Sequence, residues 1–386
     1  MRCQVFLRDD RRFALYNRGM LKEFDLSLLT EPLLEWYEKN KRTLPWRETV
    51  SPYRIWVSEI MLQQTRVEAV KPFFERFTKR LPDVKSLAEC PEDELLKLWE
   101  GLGYYNRVRN MQKAAMQVME EYGGELPAEY EALLGLKGIG SYTAGAIASI
   151  AYQIPVPAVD GNVLRILTRV AEDDTDIMKA SFRKQVEEQL AAYMQSDAFD
   201  AKQAGDFNQA LMELGATVCV PNGAPNCEAC PWRDLCQARK NNRISELPVK
   251  TKAKERRIEK RTVFVIRDGE RVAIRKRPKK GLLAGLYELP NVEGHMTQEE
   301  ALAHVKELAL SPIRIQKLPE AKHIFSHVEW QMQGYAVLIE EPELEQALLY
   351  VEAVTSEEQY AIPAAFAAYA RYMGIKIGQE RFLSEE

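Results

Sequence analysis

Two carboxylates stand out for chemistry. Glu59 lies in the run SPYRIWVSEIMLQQT; with that run helical, its neighbours at i−4, i−3 and i+3 are Ile55, Trp56 and Leu62, so the carboxylate falls on the apolar face. Desolvation there disfavours the ionised form and raises the pKa toward the range of a general acid at neutral pH. A glutamate at the edge of the stripe, paired with an arginine, is the alternative. Asp160, in PAVDGNVLRIL, stands just before a helical pattern, where it or Asn162 would serve as the N-cap. A second carboxylate near Glu59 would do more. An acid to protonate a leaving group and an anion to stabilise an oxocarbenium-like centre are the pair that breaking a glycosidic bond needs.

The chain has four histidines, at 295, 304, 323 and 327. Chemistry in the first 294 residues therefore runs on carboxylates, tyrosine and cysteine. Of six cysteines, four are crowded as Cys219-x7-Cys227-x2-Cys230-x5-Cys236, which points to a metal site rather than a disulfide framework. The uneven spacing favours an iron-sulfur cluster over structural zinc. The stretch LKGIGSYTAGAIASI joins a glycine-rich turn to a helix of small residues. It reads either as a tight helix-helix turn or as backbone amides offered to an anion at a helix N-terminus, and the two are compatible.

The positioning elements fall into two kinds. At 386 residues, with 46% hydrophobic and 28% charged residues, the chain is long enough for two or three domains. From about 25 to 238 the three- and four-residue apolar spacing predicts an all-α domain, with the cysteine loop at 219–236. A polar, charged linker follows at 239–258. RTVFVIRDGERVAIRKR then alternates around Asp-Gly as a hairpin does, HIFSHVEWQMQGYAVLI is strand-like and QEEALAHVKEL is helical, which predicts an α+β domain over 259–375 and a tail over 376–386. Residues 1–24 fit neither domain, and Met20 is a candidate start. No apolar run is long enough to span a bilayer and the N-terminus has no apolar signal block; a cytoplasmic protein without membrane contact is expected. Net charge is −4, yet residues 250–280 hold fourteen Lys or Arg against four acids, a solvated linker and lysine-guarded edge by themselves.

LKGIGSYTAGAI resembles the helix-hairpin-helix of the base-excision DNA glycosylase superfamily that includes endonuclease III, VDGN its aspartate loop, and the cysteines its 4Fe-4S loop. LPWR, SPYRIWVSEIMLQQT, GLGYYNRVRN, VDGN, FNQALMELGA and FSH, in that order, resemble the adenine DNA glycosylases of the MutY type, from about residue 25 to the end. The resemblance implies a multidomain protein: an all-α glycosylase domain with a 4Fe-4S cluster on Cys219, Cys227, Cys230 and Cys236, and a Nudix-like α+β domain. It implies that adenine opposite 8-oxoguanine or guanine in duplex DNA is flipped out, at a cost of a few kcal/mol. The hairpin would grip phosphate through amides around Gly138 and Gly140. Glu59 would protonate the departing adenine and Asp160 stabilise the cationic sugar, with Tyr142 and Asn162 in support. Trp46, Arg47, Leu62 and Gln209 would border the adenine. Gln64, Thr65, Leu102 and Tyr104 would act around the 8-oxoguanine, Tyr104 as a stacking wedge, with Phe325, Ser326 and His327 from the Nudix-like domain. The basic linker then becomes a DNA-facing segment, and the protein a nucleoid-associated monomer.

Three features bear on the rivals. A bifunctional glycosylase with lyase activity needs a lysine to form a Schiff base with the sugar, and position 142 supplies tyrosine. A non-catalytic damage binder would lack the carboxylates. A nucleotide-pool hydrolase would need the Nudix signature G-x5-E-x7-R-E, yet Glu288 is followed eight and nine residues on by Met296 and Thr297. One departure is seven residues, VPNGAPN, between the first two cysteines, where the family usually has six; Gly223 and two prolines suggest a bulge.

Overall fold

The structure, a computed structural model, describes residues 25–251, 255–340 and 348–377. The N-terminal extension at 1–24, Met20 included, and 378–386 of the tail lie outside the described residues. The described residues form two compact units: 25–64, 83–88 and 113–251, and 65–82, 89–112, 255–340 and 348–377. Composition separates helices from strands near 238 and 259. Compactness groups them otherwise, because two helical stretches of the N-terminal half belong with the C-terminal sheet.

In the first unit, Pro45 and Pro52 each open a helix, Pro45–Glu48 and Pro52–Leu62, at the position where a missing N–H costs nothing. The helices Ser27–Asn40, Gly161–Ala171, Ala180–Met194 and Ala204–Thr217 close around a core of Leu29, Leu33, Val163, Leu167, Phe182, Phe207 and Trp232. The helix Ser141–Tyr152 buries eight of its twelve residues. Its small side chains allow this: a Cβ on Gly145 would lie 2.1 Å from the Pro157 carbonyl oxygen. Part of the charged linker after the cysteines packs on the helical unit. Leu247 is 2% exposed, its carbonyl accepts from Arg169 Nε at 2.8 Å, and the Val249 carbonyl accepts from Ile177 N at 3.1 Å. Buried partners, which composition does not reveal, anchor 247–251 to the helical unit.

The second unit holds a sheet of seven strands: β1 (Arg257–Asp268), β2 (Arg271–Lys276), β3 (Tyr287–Glu288), β4 (Asn291–Glu293), β5 (Pro312–Ile324), β6 (Val328–Ile339) and β7 (Leu349–Val351). The order is β3-β2-β1-β6-β5, with β4 on β1 and β7 on β2. The Asp268-Gly269 hairpin forms as its sequence predicts, Asp268 facing Arg271 and Gly269 at φ +56°. The stretch 323–339 is not one strand: β5 ends at Ile324, Phe325-Ser326-His327 makes the turn, and β6 returns antiparallel. The helix Gln298–Glu307 begins with a Thr297/Glu300 capping box, which satisfies two otherwise orphaned amides. The helices Val67–Arg80 and Glu92–Leu98, the start of Asn106–Glu121, and the helices Ala353–Gln359 and Ala367–Met373 also belong to the unit. No helix among the described residues is long and apolar enough to cross a membrane.

Candidate active site

Glu59 sits in the middle of the Pro52–Leu62 helix and is 6% exposed. Tyr142, the second residue of the Ser141–Tyr152 helix and 83 residues away, donates its hydroxyl to Glu59 Oε2 at 2.5 Å, and that hydroxyl is 3.5 Å from Met212 Sδ. Burial pushes Glu59 up to about 7; the Tyr142 hydrogen bond and the more distant Arg47 pull it down, and the charge of Asp160 adds to the rise. Tyr142 is itself held well above its ordinary value, first by burial and then by the two carboxylates, so it stays a donor.

Asp160 fills the capping role its sequence position allowed and also lies close enough to Glu59 for its charge to be felt there. It caps the Gly161–Ala171 helix, Oδ1 accepting from the amides of Asn162 and Val163, each at 2.8 Å, while Oδ2 accepts from Asn162 Nδ2 at 2.6 Å. Burial raises its pKa, while the Val163 amide, the Asn162 side chain and amide, and Arg165 oppose the rise. Donors aimed at an ionised carboxylate favour its charge. The two carboxylates are therefore unlike: Glu59 has one hydroxyl donor in an apolar helix, and Asp160 has three N–H donors.

Several supports of this site had escaped the sequence. Asn208, fully buried, accepts from Ala158 N at 3.0 Å and donates to Ser149 Oγ and the Val156 carbonyl, each at 2.9 Å, so one side chain ties the segment before Asp160 to the tyrosine-bearing helix. Arg165, 3% exposed, donates to Asn162 Oδ1 and the Gly215 carbonyl at 2.8 Å and to the Cys219 carbonyl at 2.9 Å. Arg165 and Arg169, four apart in an apolar helix, were the available signal. Glu213, 1% exposed, receives Arg42 Nε at 2.6 Å and Arg47 Nη2 at 2.9 Å. Burial raises its pKa, yet the hydrogen bonds and charges of the two arginines leave it lowered. Trp46 is buried, and Arg47, Leu62 and Gln209 are half-buried.

In the hairpin, Gly138 has φ +81°, a conformation that favours glycine. Gly140 is the N-cap of the Ser141–Tyr152 helix at φ −100°, and a Cβ there would meet nothing within 4 Å. Its lack of a side chain is not explained by the protein's own packing. Of the four thiols, Cys219 and Cys236 are buried, Cys227 and Cys230 half-buried, and none is in a disulfide. Burial pushes Cys230 up to about 12 and raises Cys227 and Cys236, and the charges of neighbouring cysteines add to each. Arg169 Nη1 donates to Cys219 Sγ at 3.3 Å. Among the described residues no three His, Cys, Asp or Glu side chains are grouped to hold a single metal ion.

Gln64, exposed and at φ +59°, lies in the first unit; Thr65, Leu102 and Tyr104 lie in the second. Leu102 is buried and Tyr104 is 47% exposed, with the Arg107 guanidinium 5.6 Å from its ring. Within that unit Ser326 Oγ donates to the Tyr104 hydroxyl at 3.1 Å, across 222 residues. Phe325 packs edge-on against Trp330 at 5.0 Å and His327 is exposed. Glu288 is 2% exposed and held by Arg275 Nε at 2.9 Å, by Arg277 and by Asn291 Nδ2 at 2.7 Å.

Residues 57–192 match the HhH-GPD superfamily base excision DNA repair protein family, and residues 262–372 match the NUDIX domain. The adenine DNA glycosylase of Mus musculus is 35% identical over 378 residues, covering 82% of this chain and 72% of that protein. That of Buchnera aphidicola subsp. Baizongia pistaciae is 32% identical over 311 residues, covering 80% and 86%. The solved structure of a thermostable thymine-DNA glycosylase aligns at TM-score 0.48 and 26% identity, covering 60% of this chain and 100% of that one. The helical domain and the Nudix-type sheet domain together mark a helix-hairpin-helix base-excision DNA repair protein. Within that class, the chain belongs to the adenine DNA glycosylase family.

Proposed function

We propose that the protein hydrolyses the N-glycosidic bond of adenine mispaired with 8-oxoguanine or guanine in duplex DNA and leaves an abasic site. One observation carries the reading: two neighbouring carboxylates in unlike environments, Glu59 poised at about 7 and Asp160 ringed by N–H donors. With the adenine flipped from the stack, Glu59 delivers its proton to the base and the departing purine takes the bonding electrons. Asp160, ionised, faces the positive charge that develops on the sugar, and water then completes the hydrolysis. Tyr142 keeps the proton on the correct carboxylate oxygen, and Asn162 orients Asp160. Trp46, Arg47, Leu62 and Gln209 border the base. Tyr142 cannot form an imine with the sugar, which argues for a monofunctional enzyme.

The backbone amides around Gly138 and Gly140 are the phosphate seat, since a side chain at 140 would meet only an incoming ligand. Gln64, Thr65, Leu102 and Tyr104 act around the 8-oxoguanine with Phe325, Ser326 and His327; the Ser326–Tyr104 hydrogen bond supports a shared role. The basic run from 250 to 280 follows the DNA backbone, and the enzyme works as a cytoplasmic, nucleoid-associated monomer. Glu288, committed to two arginines, is not free for a metal, which weighs against nucleotide hydrolysis.

The four thiols fit an inorganic cluster. Cys227, Cys230 and Cys236 are driven toward protonation by burial and then by neighbouring cysteine charge, a conflict that a positively charged centre removes. Cys219, Cys227, Cys230 and Cys236 would hold 4Fe-4S, which when bound cross-links the loop. An anaerobically purified sample without iron-sulfur absorption would remove that part of the reading.

The test is single-turnover kinetics on duplexes carrying A opposite 8-oxoguanine, G, C or T, with alkali cleavage to reveal abasic sites. Excision confined to A opposite 8-oxoguanine and G is expected. Equal rates on all four duplexes, or a borohydride-trapped covalent complex at lyase levels, would overturn the proposal.

A further inference from the structure

Glu100 and Lys97 have no part in the chemistry above, yet they form one of the most enclosed ion pairs of the second unit. Their side chains are 4% and 12% exposed, with Lys97 Nζ 2.7 Å from Glu100 Oε2. Neither partner stops at the other. Glu100 Oε1 accepts from the amide of Ile362 at 2.8 Å, and Lys97 Nζ donates to the Tyr360 carbonyl at 2.8 Å and to the Ser356 carbonyl at 3.4 Å. The pair thus stitches the end of the Glu92–Leu98 helix to residues 356–362 of the sheet-bearing part.

The next residues form the loop that carries Tyr104. Trp99 Nε1 donates to the Gly103 carbonyl at 3.1 Å, and Arg107 Nη2 donates to the Leu102 carbonyl at 3.0 Å. Gly101, Gly103 and Tyr104 all have positive φ, at +100°, +69° and +46°, a strained path that persists only where its surroundings hold it. The loop is held at both ends: Glu100 at its base, and the Tyr104 hydroxyl against Ser326 at its tip, 3.1 Å away.

We infer that Glu100, braced by Lys97, is a positioning residue for recognition of the base opposite adenine: it sets Tyr104 against Ser326 before DNA arrives. This rests on the reading that Tyr104 and Ser326 face 8-oxoguanine. Preorganisation of this kind raises selectivity without touching the bond-breaking step.

The test measures single-turnover excision on A opposite 8-oxoguanine and A opposite G, in wild type, Glu100→Gln, Ser326→Ala and the double variant. Glu100→Gln keeps the shape and the acceptor for Ile362 but removes the counter-ion of Lys97. The ratio of the two rates should fall about tenfold in Glu100→Gln, with the rate on A opposite G and its pH profile unchanged. In the Ser326→Ala background, Glu100→Gln should lower the ratio no further, because the contact it positions is already gone. An unchanged ratio in Glu100→Gln, or an additive loss in the double variant, would overturn the inference. A wild type without preference for 8-oxoguanine would instead overturn the reading beneath it. Should Glu100→Gln fail to fold, the charge-balanced Lys97→Met/Glu100→Gln protein takes its place, and retention of the wild-type ratio there counts against the role.

Discussion

Replacing Glu59 with glutamine should stabilise the protein in a way that depends on pH. Glutamine keeps an acceptor for the Tyr142 hydroxyl, which lies 2.5 Å from Glu59 Oε2 in the parent, and it carries no charge. In the folded protein Glu59 titrates at about 7 against an ordinary value of 4.5, mainly through burial. Below pH 4.5 the carboxyl is protonated in both folded and unfolded chains, and its contribution to stability is fully present. As pH rises from 4.5 through 7 the unfolded chain ionises while the folded one resists, so stability is lost, and the loss is complete above 7. The shift corresponds to about 3 kcal/mol. Urea unfolding followed by tryptophan fluorescence should therefore find the Glu59→Gln and parent proteins differing little near pH 5. Near pH 8.5 the variant should lead by about 3 kcal/mol. The same variant should bind mismatched duplex and release no adenine. A stability difference that does not grow between the two pH values would refute the claim that the buried carboxyl is held protonated. Adenine release at the parent rate would refute its role as the acid.

Tyr142→Phe removes the hydrogen bond that favours ionised Glu59; the alkaline limb of the excision rate, set by loss of the Glu59 proton, should move up by about one pH unit, and a limb that stays or moves down counts against the assignment. Glu213→Ala leaves Arg42 and Arg47 without their carboxylate and should destabilise by about 3 kcal/mol in urea unfolding. Gly140→Ala meets open space and should leave the urea midpoint unchanged while weakening duplex affinity in a titration. Gly145→Ala drives a methyl against the Pro157 carbonyl; its unfolding free energy should fall by about 1–3 kcal/mol, and its excision rate should fall with it, because Pro157 and Ala158 lead into Asp160.

Much of the architecture can be read along the chain because it is local. Proline at the first position of the Pro52–Leu62 helix, the Thr297/Glu300 capping box and the Asp268-Gly269 turn are each decided by residues a few positions apart, where propensity and hydrogen bonding act without help from the fold. The apolar face of Glu59 is legible for the same reason. The parallel pairing of β1 with β6 is not, since strands alternate alike whichever neighbour they meet. Nor is the anchoring of Leu247 or Val249, whose partners lie in distant helices.

The sequence by itself determined which groups this protein can use: carboxylates and a tyrosine where histidine is absent, four cysteines on one loop, and glycines where a chain must turn. It also determined the family, through motifs in order. Only the tertiary structure decided what those groups are. Glu59 becomes an acid near neutrality because folding buries it and the charge of Asp160 adds to the rise, while the Tyr142 hydroxyl, 83 residues on, holds the rise in check. Asp160 caps a helix while both of its oxygens accept N–H donors, an arrangement that no spacing rule foretells. The reason is physical: a pKa depends on the medium and charges around a group, and both are assembled from parts of the chain that meet only when it folds.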